Sequence, residues 1–168
     1  MLMSSLDLNS EFKKAFDLLE HQHKNLFLTG KAGTGKSTFL KYFVENTKKR
    51  CVVLAPTGVA ALNVDGVTIH SFFKFTPHVT EEDVIKKAKV VNKDAVYHHI
   101  DIIIIDEISM VRADLLDYMD LFLQTALKKK IPFGGIQMLF IGDLYQLPPV
   151  VTGAEREYFT ETYDSPFF

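Results

Sequence analysis

At 168 residues the chain is long enough for one domain with a real core and too short for two ordinary ones. Hydrophobic residues make up 47% and charged residues 24%, the balance of a soluble globular protein. No apolar run reaches the ~20 residues that span a bilayer. The start, Met1-Leu2-Met3-Ser4-Ser5-Leu6, lacks the basic region and long apolar stretch of a secretory signal. A formal net charge of −2 does not mark the whole chain as a nucleic-acid binder and leaves that role to local charge.

Taken in chain order, Glu11 to Glu20 sets Phe12, Ala15, Phe16 and Leu19 at helical spacing behind a cap at Asn9 or Ser10. Leu26-Phe27-Leu28 is a short apolar run that ends in a glycine-rich turn, and Ser37 to Val44 reads as a helix. Cys51-Val52-Val53-Leu54-Ala55 is a second run, closed by Pro56. Cys51 is the only cysteine, so an internal disulfide is excluded and a reducing, cytoplasmic setting is expected. Its apolar neighbours give it the character of a buried structural thiol. Residues 63 to 100 read as an insertion, with Phe72, Phe73, Phe75 and Pro77 followed by a Lys-rich helix near Glu81 to Val91. Ile102-Ile103-Ile104-Ile105 and Met138-Leu139-Phe140-Ile141 are the third and fourth runs. Between them Leu115, Met119, Phe122 and Ala126 mark one face of a helix. None of the runs alternates with polar residues, as befits strands buried on both faces of a parallel sheet. The expected fold is α/β: a three-layer domain with a mainly parallel central sheet, one domain over residues 1–168, and a P-loop NTPase on the strength of Gly30 to Ser37. The stretch from Val151 to Phe168 has no clear period, and the chain reads as a piece of something longer. Lys48-Lys49-Arg50, Lys86-Lys87-Ala88-Lys89 and Lys128-Lys129-Lys130 read as solvated helix ends and loops. His21-Gln22-His23 and Tyr97-His98-His99 read as surface residues, and Met110, Met119 and Met138 as packing.

Gly30-Lys31-Ala32-Gly33-Thr34-Gly35-Lys36-Ser37 fits the full phosphate-loop pattern, after a strand and opening a helix. Its glycines let successive backbone N–H groups turn inward, and these donors with the helix N-terminus cradle the phosphates of ATP. The binding set is Gly30, Ala32, Gly33, Thr34, Gly35, Lys36, Ser37 and Thr38. Lys36 reaches the β- and γ-phosphates and Ser37 offers a hydroxyl to Mg²⁺, while the Lys31 and Thr34 side chains read as loop decoration. Asp106-Glu107 stands at the C-terminal tip of the third run, the edge of a parallel sheet where ligands bind. Asp106 is assigned to the metal and Glu107 to the attacking water as general base. Asp101, at the other end of that run, reads as a plain surface residue. Gln146, in Gly142-Asp143-Leu144-Tyr145-Gln146-Leu147-Pro148-Pro149, ends the fourth run at the same edge. Its amide can donate to a γ-phosphate oxygen and accept from water, with the rigid Leu147-Pro148-Pro149 run as a relay. Thr57 and Gly58, after the second run, are open to two readings, an ordinary helix cap or a second anion site for a phosphodiester.

Four stretches in this order resemble the first RecA-like domain of superfamily 1 DNA helicases. They are Gly30 to Ser37, Ala55 to Ala61 with Thr68-Ile69-His70-Ser71-Phe72-Phe73, Asp106-Glu107-Ile108-Ser109-Met110, and Gly142 to Pro149. The match is closest to the petite-integration-frequency (Pif) family, with RecD-type helicases next, and runs over roughly residues 9 to 150. The resemblance implies ATP-driven 5′ to 3′ movement on single-stranded DNA, with Lys36, Ser37, Asp106, Glu107 and Gln146 in the ATPase roles. It also implies DNA contacts from Thr57, Gly58, His70, Ser71 and Phe72. On the residues alone, Phe72, Phe73 and Phe75 are open between base stacking and core, and His70 between a DNA contact and a structural hydrogen bond. Two departures stand out. The upstream stretch Asn9-Ser10-Glu11-Phe12-Lys13 lacks the glutamine with which family members read adenine. The second RecA-like domain, whose arginine finger raises phosphoryl-transfer rates by about 10³–10⁵, lies outside these residues. A nucleotide-dependent loader that binds a protein partner, or an AAA+-type ring ATPase, are the other classes the residues admit.

Overall fold

Apolar runs pair into one parallel sheet in the computed structural model, which describes residues 10–146, 149–153 and 155–163. The strands are β1 (Leu26–Thr29), β2 (Cys51–Ala55), β3 (Val67–Thr68), β4 (Ile102–Ile105) and β5 (Gln137–Gly142). Their order across the sheet is β1-β5-β4-β2-β3, and every pairing is parallel. The four long strands fall on the four apolar runs. β3 has no counterpart among them, because two residues are too few to show a pattern. Gly66 leads into it, and a Cβ there would lie 2.5 Å from the Val53 carbonyl oxygen, so only glycine lets the chain cross β2 this closely.

The β4 residues alternate between two cores although all of them are apolar. Ile102 and Ile104 face one side, packed with Ala15 and Leu19 of α1 (Ser10–Glu20), Phe39, Leu40 and Phe43 of α2 (Lys36–Asn46), and Leu139 and Ile141. Ile103 and Ile105 face the other, with α4 (Ile69–Phe73), α5 (Glu81–Lys89) and α6 (Ala113–Leu127). Helices on both faces explain why the central strands carry no polar alternation. β1, at the edge, does alternate between half-buried and exposed residues. A short α3 (Gly58–Asn63) follows β2, and α7 (Arg156–Thr162) closes the described part.

The insertion is organised by aromatic rings. Phe73 meets Phe122 edge-on at 5.3 Å and Phe75 stacked at 5.3 Å, and Tyr97 meets Phe122 at 4.9 Å. Phe73 and Phe75 are therefore core residues. Tyr97, expected at the surface, is buried in this cluster, and its hydroxyl donates to the Phe72 carbonyl at 2.8 Å. A phenol can bury its ring when its hydroxyl finds a backbone acceptor, which spacing does not reveal. Helix α5 is fixed by a capping box between Thr80 and Asp83 and ends in Lys86, Lys87 and Lys89, which suit the helix dipole. Met119 and Met138 are buried as expected, whereas Met110 is exposed. Cys51 is half-buried, and burial pushes its thiol up.

The edge where the strands begin carries ordered polar contacts. Asp101, expected to be a plain surface residue, accepts two hydrogen bonds from the Arg50 guanidinium and one from the Arg50 backbone N–H. Lys49 is half-buried rather than solvated, donating to the Leu19 carbonyl and to Gln137 Oε1 at 2.5 Å. The expected cap at Asn9, and Leu147 and Pro148 of the relay run, lie outside the described residues.

Candidate nucleotide and nucleic-acid site

The phosphate loop joins β1 to α2. Gly33 and Gly35 take φ of 79° and 94°, the left-handed region where an L side chain is strained. Gly35 caps α2, and its carbonyl receives the Phe39 N–H at 2.8 Å, so the helix starts directly from the loop. Beneath it, the Phe12 ring of α1 would stand 2.9 Å from any Cβ at Gly35 and packs edge-on to Phe39 at 5.3 Å. The Thr34 side chain, expected to be decoration, instead locks the turn, because its hydroxyl donates to the Lys31 carbonyl at 2.8 Å. Lys36 bends back over the loop and donates to the carbonyls of Gly30 at 2.5 Å and Lys31 at 3.1 Å. Ala32 and Gly33 of the loop and Ser37 and Thr38 of the first turn of α2 are all exposed.

At the tip of β4, Asp106 is buried and Glu107 half-buried. Burial pushes the Asp106 carboxyl above its ordinary value, against the opposing effects of the Glu107 N–H and the Lys36 ammonium. Glu107 is also raised, by burial first and then by the carboxylates of Asp106 and Asp143, with Lys36 opposing. These interactions tie the tips of β1, β4 and β5 into one electrostatic unit. Asp106 and Glu107 both feel the Lys36 ammonium, Asp143 adds a third acid beside Glu107, and that surplus of negative charge suits a divalent cation. Among the described residues no three His, Cys, Asp or Glu side chains form a metal cage. Mg²⁺ needs none, since it is bound through one or two protein ligands, waters and substrate phosphates. Ser37 and Asp106 are the hydroxyl and carboxylate suited to that role.

Two residues carry more of the site than their sequence revealed. Asp143 is buried at the end of β5, where it accepts from the Tyr145 N–H at 3.0 Å and from the Gln146 amide at 3.3 Å. Its signal was the one that marked Asp106, an acid just past a buried strand. Ser109 is wholly buried, and its hydroxyl has no partner among the described residues. Gln146 is exposed, with its amide turned to Asp143.

The Thr57 hydroxyl caps α3 by accepting from the Ala60 N–H at 3.2 Å, so the cap reading holds for the side chain. Thr68 caps α4 in the same way through the Ser71 N–H. Gly58 and Ser71 are exposed and His70 half-buried, its imidazole pushed down by burial. Phe72 packs edge-on against Phe73 and Tyr97 at 5.0 and 5.2 Å, a partly buried ring committed to the core.

Comparison with known proteins agrees with this geometry. The model of the PIF1-like helicase family matches residues 7–164. The ATP-dependent DNA helicase PIF1 of Saccharomyces cerevisiae is 40% identical over 156 residues, covering 89% of this chain and 18% of its own length. The ATP-dependent DNA helicase Pif1 of Bdellovibrio bacteriovorus is 35% identical over 164 residues, covering 94% of this chain and 36% of its own. The chain thus spans a minor part of the length of these relatives. Among solved structures, Pif1 from Bacteroides sp in complex with ADP-AlF4 is 42% identical, with a TM-score of 0.82 over 98% of this chain and 38% of that one. Bacteroides Pif1 bound to ssDNA matches with a TM-score of 0.81, again at 42% identity.

Proposed function

We propose, since the chain belongs to the PIF1-like helicase family, that it is the ATP-binding motor half of a DNA helicase that works on single strands. The observation that carries this reading is the gathering at one sheet edge of the phosphate loop with Lys36, which acts on both Asp106 and Glu107, and of Asp106 and Asp143, which act on Glu107. In the proposed reaction Lys36 leaves the Gly30 and Lys31 carbonyls and donates to the β- and γ-phosphate oxygens. Glu107 takes a proton from a water whose oxygen bonds to the γ-phosphorus as the bond to the β-phosphate oxygen breaks. Asp106 and Ser37 would hold Mg²⁺, which would neutralise phosphate charge when bound. Gln146 exchanges its contact with Asp143 for the γ-phosphate and thereby reports a triphosphate.

Bacteroides Pif1 has been solved bound to ssDNA. Carried to this chain, we assign the strand to Thr57, Gly58, His70 and Ser71, with Phe72 supporting the surface from below. We read residues 1–168 as a single RecA-like domain, with 63–100 as its insertion, working with a second such domain beyond these residues. Arg112 is held by Asp114 and Glu155, in keeping with an arginine finger supplied by that second domain. Among the described residues no helix is long and apolar enough to cross a membrane, and we place the protein in the cytoplasm, with the nucleoid in a bacterium. The isolated chain is expected to bind ATP, hydrolyse it slowly and separate no duplex; rapid unwinding by these residues alone would refute that. The deciding measurement is ATP turnover of the full-length protein with and without oligo(dT). Stimulation is expected, and its absence would overturn the helicase reading.

A further inference from the structure

Four polar clusters of the sequence have no part in the nucleotide site: His21-Gln22-His23, Lys48-Lys49-Arg50, Tyr97-His98-His99 and Lys128-Lys129-Lys130. They are scattered along the chain, yet each comes before a strand: β1, β2, β4 and β5 in turn. Because all strands are parallel, these loops meet at the edge opposite the phosphate loop. There His23, Lys49, His98, Asp101, Lys129 and the backbone of Gly135 line a cavity of about 320 Å³.

The cavity is built from donors. Lys49 is anchored by the Leu19 carbonyl, by Gln137 Oε1 at 2.5 Å and by His23 Nδ1 at 3.1 Å. With His23 Nδ1 accepting, the ring proton sits on Nε2 and is free to donate. Gly135 has φ +85° and no side chain, so the Lys129 stem passes over it, 4.0 Å from where a Cβ would stand. No hydrogen bond or ion pair holds the Lys129 ammonium or the His98 ring among the described residues. Asp101 is the one acid on the wall among the described residues, and Arg50 already occupies its carboxylate. Behind Lys49, Glu20 accepts from the Thr47 hydroxyl and the Lys48 N–H. Two ammonium groups and two imidazoles therefore line one cavity whose one acid among the described residues is paired with Arg50; Lys49, its three N–H groups committed, supplies charge, and Lys129, His98 and His23 Nε2 supply the donors, in a space large enough for one or two phosphate groups.

We propose that this cavity is a second anion site that takes a phosphate group, either a free small phosphate such as pyrophosphate or the phosphodiester of a nucleic acid. The site is separate from the ATP pocket and does not depend on the helicase reading. Its test must first fill the phosphate loop, which binds pyrophosphate itself. The 168-residue chain is saturated with ADP and Mg²⁺, then titrated by calorimetry with pyrophosphate in one arm and oligo(dT) in the other. Lys129→Glu is expected to weaken a saturable binding event by about tenfold while leaving ADP affinity unchanged. His98→Gln, a second exposed and unpartnered position, is expected to weaken it less. Loss in the pyrophosphate arm alone assigns a small phosphate. Loss in the oligo(dT) arm, with a shallower salt dependence, assigns the phosphodiester. If neither substitution changes either arm, or the ADP-filled chain binds neither probe, the proposal is overturned.

Discussion

Glu107 is held at φ 54° and ψ 41°, a left-handed conformation that costs a non-glycine residue about 1–3 kcal/mol. The strain turns the chain sharply after β4 and leaves Glu107 beside Asp106 and Asp143, where burial first and then their charges raise its pKa. Two outcomes follow. Glu107→Gln is expected to keep ATP binding and remove turnover, as read by nucleotide binding beside single-turnover hydrolysis; loss of binding would defeat the general-base role. Because the proposed base must be ionised and this carboxyl is raised in the nucleotide-free chain, the acid limb of the kcat/KM profile is expected above the ordinary glutamate value of about 4.3. Ser109 offers a test of a different kind. Its buried hydroxyl lacks a protein partner among the described residues, so Ser109→Ala removes a polar group without stranding another and is expected to leave Tm unchanged or raised. Glu107 and Asp106 were legible in the sequence because a carboxylate pair after a buried run is a local pattern. The isolation of Ser109 was not, since it depends on what surrounds a side chain in space.

At the scale of elements, the tip of β5 rests directly on the turn after β4. A Cβ at Gly142 would lie 2.8 Å from Ile108 Cγ2 and 3.1 Å from the Ser109 nitrogen. Gly142→Ala is therefore expected to destabilise by about 1–3 kcal/mol, measured by urea unfolding, since backbone cannot yield as a flexible side chain does. The cap of α3 gives a second handle. Thr57→Ala removes the acceptor of the Ala60 N–H and is expected to cost about 1 kcal/mol, while Thr57→Ser keeps it. A DNA contact made by the hydroxyl would show as oligo(dT) binding lost in Thr57→Ala at a temperature where that variant is still folded, and restored in Thr57→Ser. The four apolar runs announced their strands because each is continuous and bounded by turns. β3 escaped notice because its pairing with Leu54 and Ala55 is a tertiary event in two residues.

For the molecule as a whole, two fastenings hold the layers. The aromatic cluster joins the insertion to α6, and Phe122, almost fully buried, touches Phe73, Phe75 and Tyr97. Phe122→Ala is expected to destabilise by about 3–5 kcal/mol in chemical unfolding. At the far edge Arg50 holds the Asp101 carboxyl at about 2. That lies below the ~3.9 of an unfolded chain, so the contribution of the pair is complete above that value and is lost as pH falls through it toward the folded value. The difference in Tm between the wild type and Asp101→Asn is expected to shrink over that window. Asp101 read as a bare surface acid, and Tyr97 as a surface phenol, because their partners Arg50 and Phe72 come from other parts of the chain. The three-layer class was legible for the opposite reason: burial on both faces of β4 writes itself into one unbroken isoleucine run.

Strand β1 has one partner, β5, and Leu26 meets Leu139 about a hundred residues later in the chain. On the ribosome, the phosphate loop leaves the tunnel long before Gln137–Gly142 exists to receive its strand. Contacts so distant in sequence form slowly, and unpaired strand edges invite association with other chains. A strand made early thus waits for one made late before it can pair. On dilution from denaturant, nucleotide binding is expected to return in the slowest phase, after the far-ultraviolet signal of the helices has recovered.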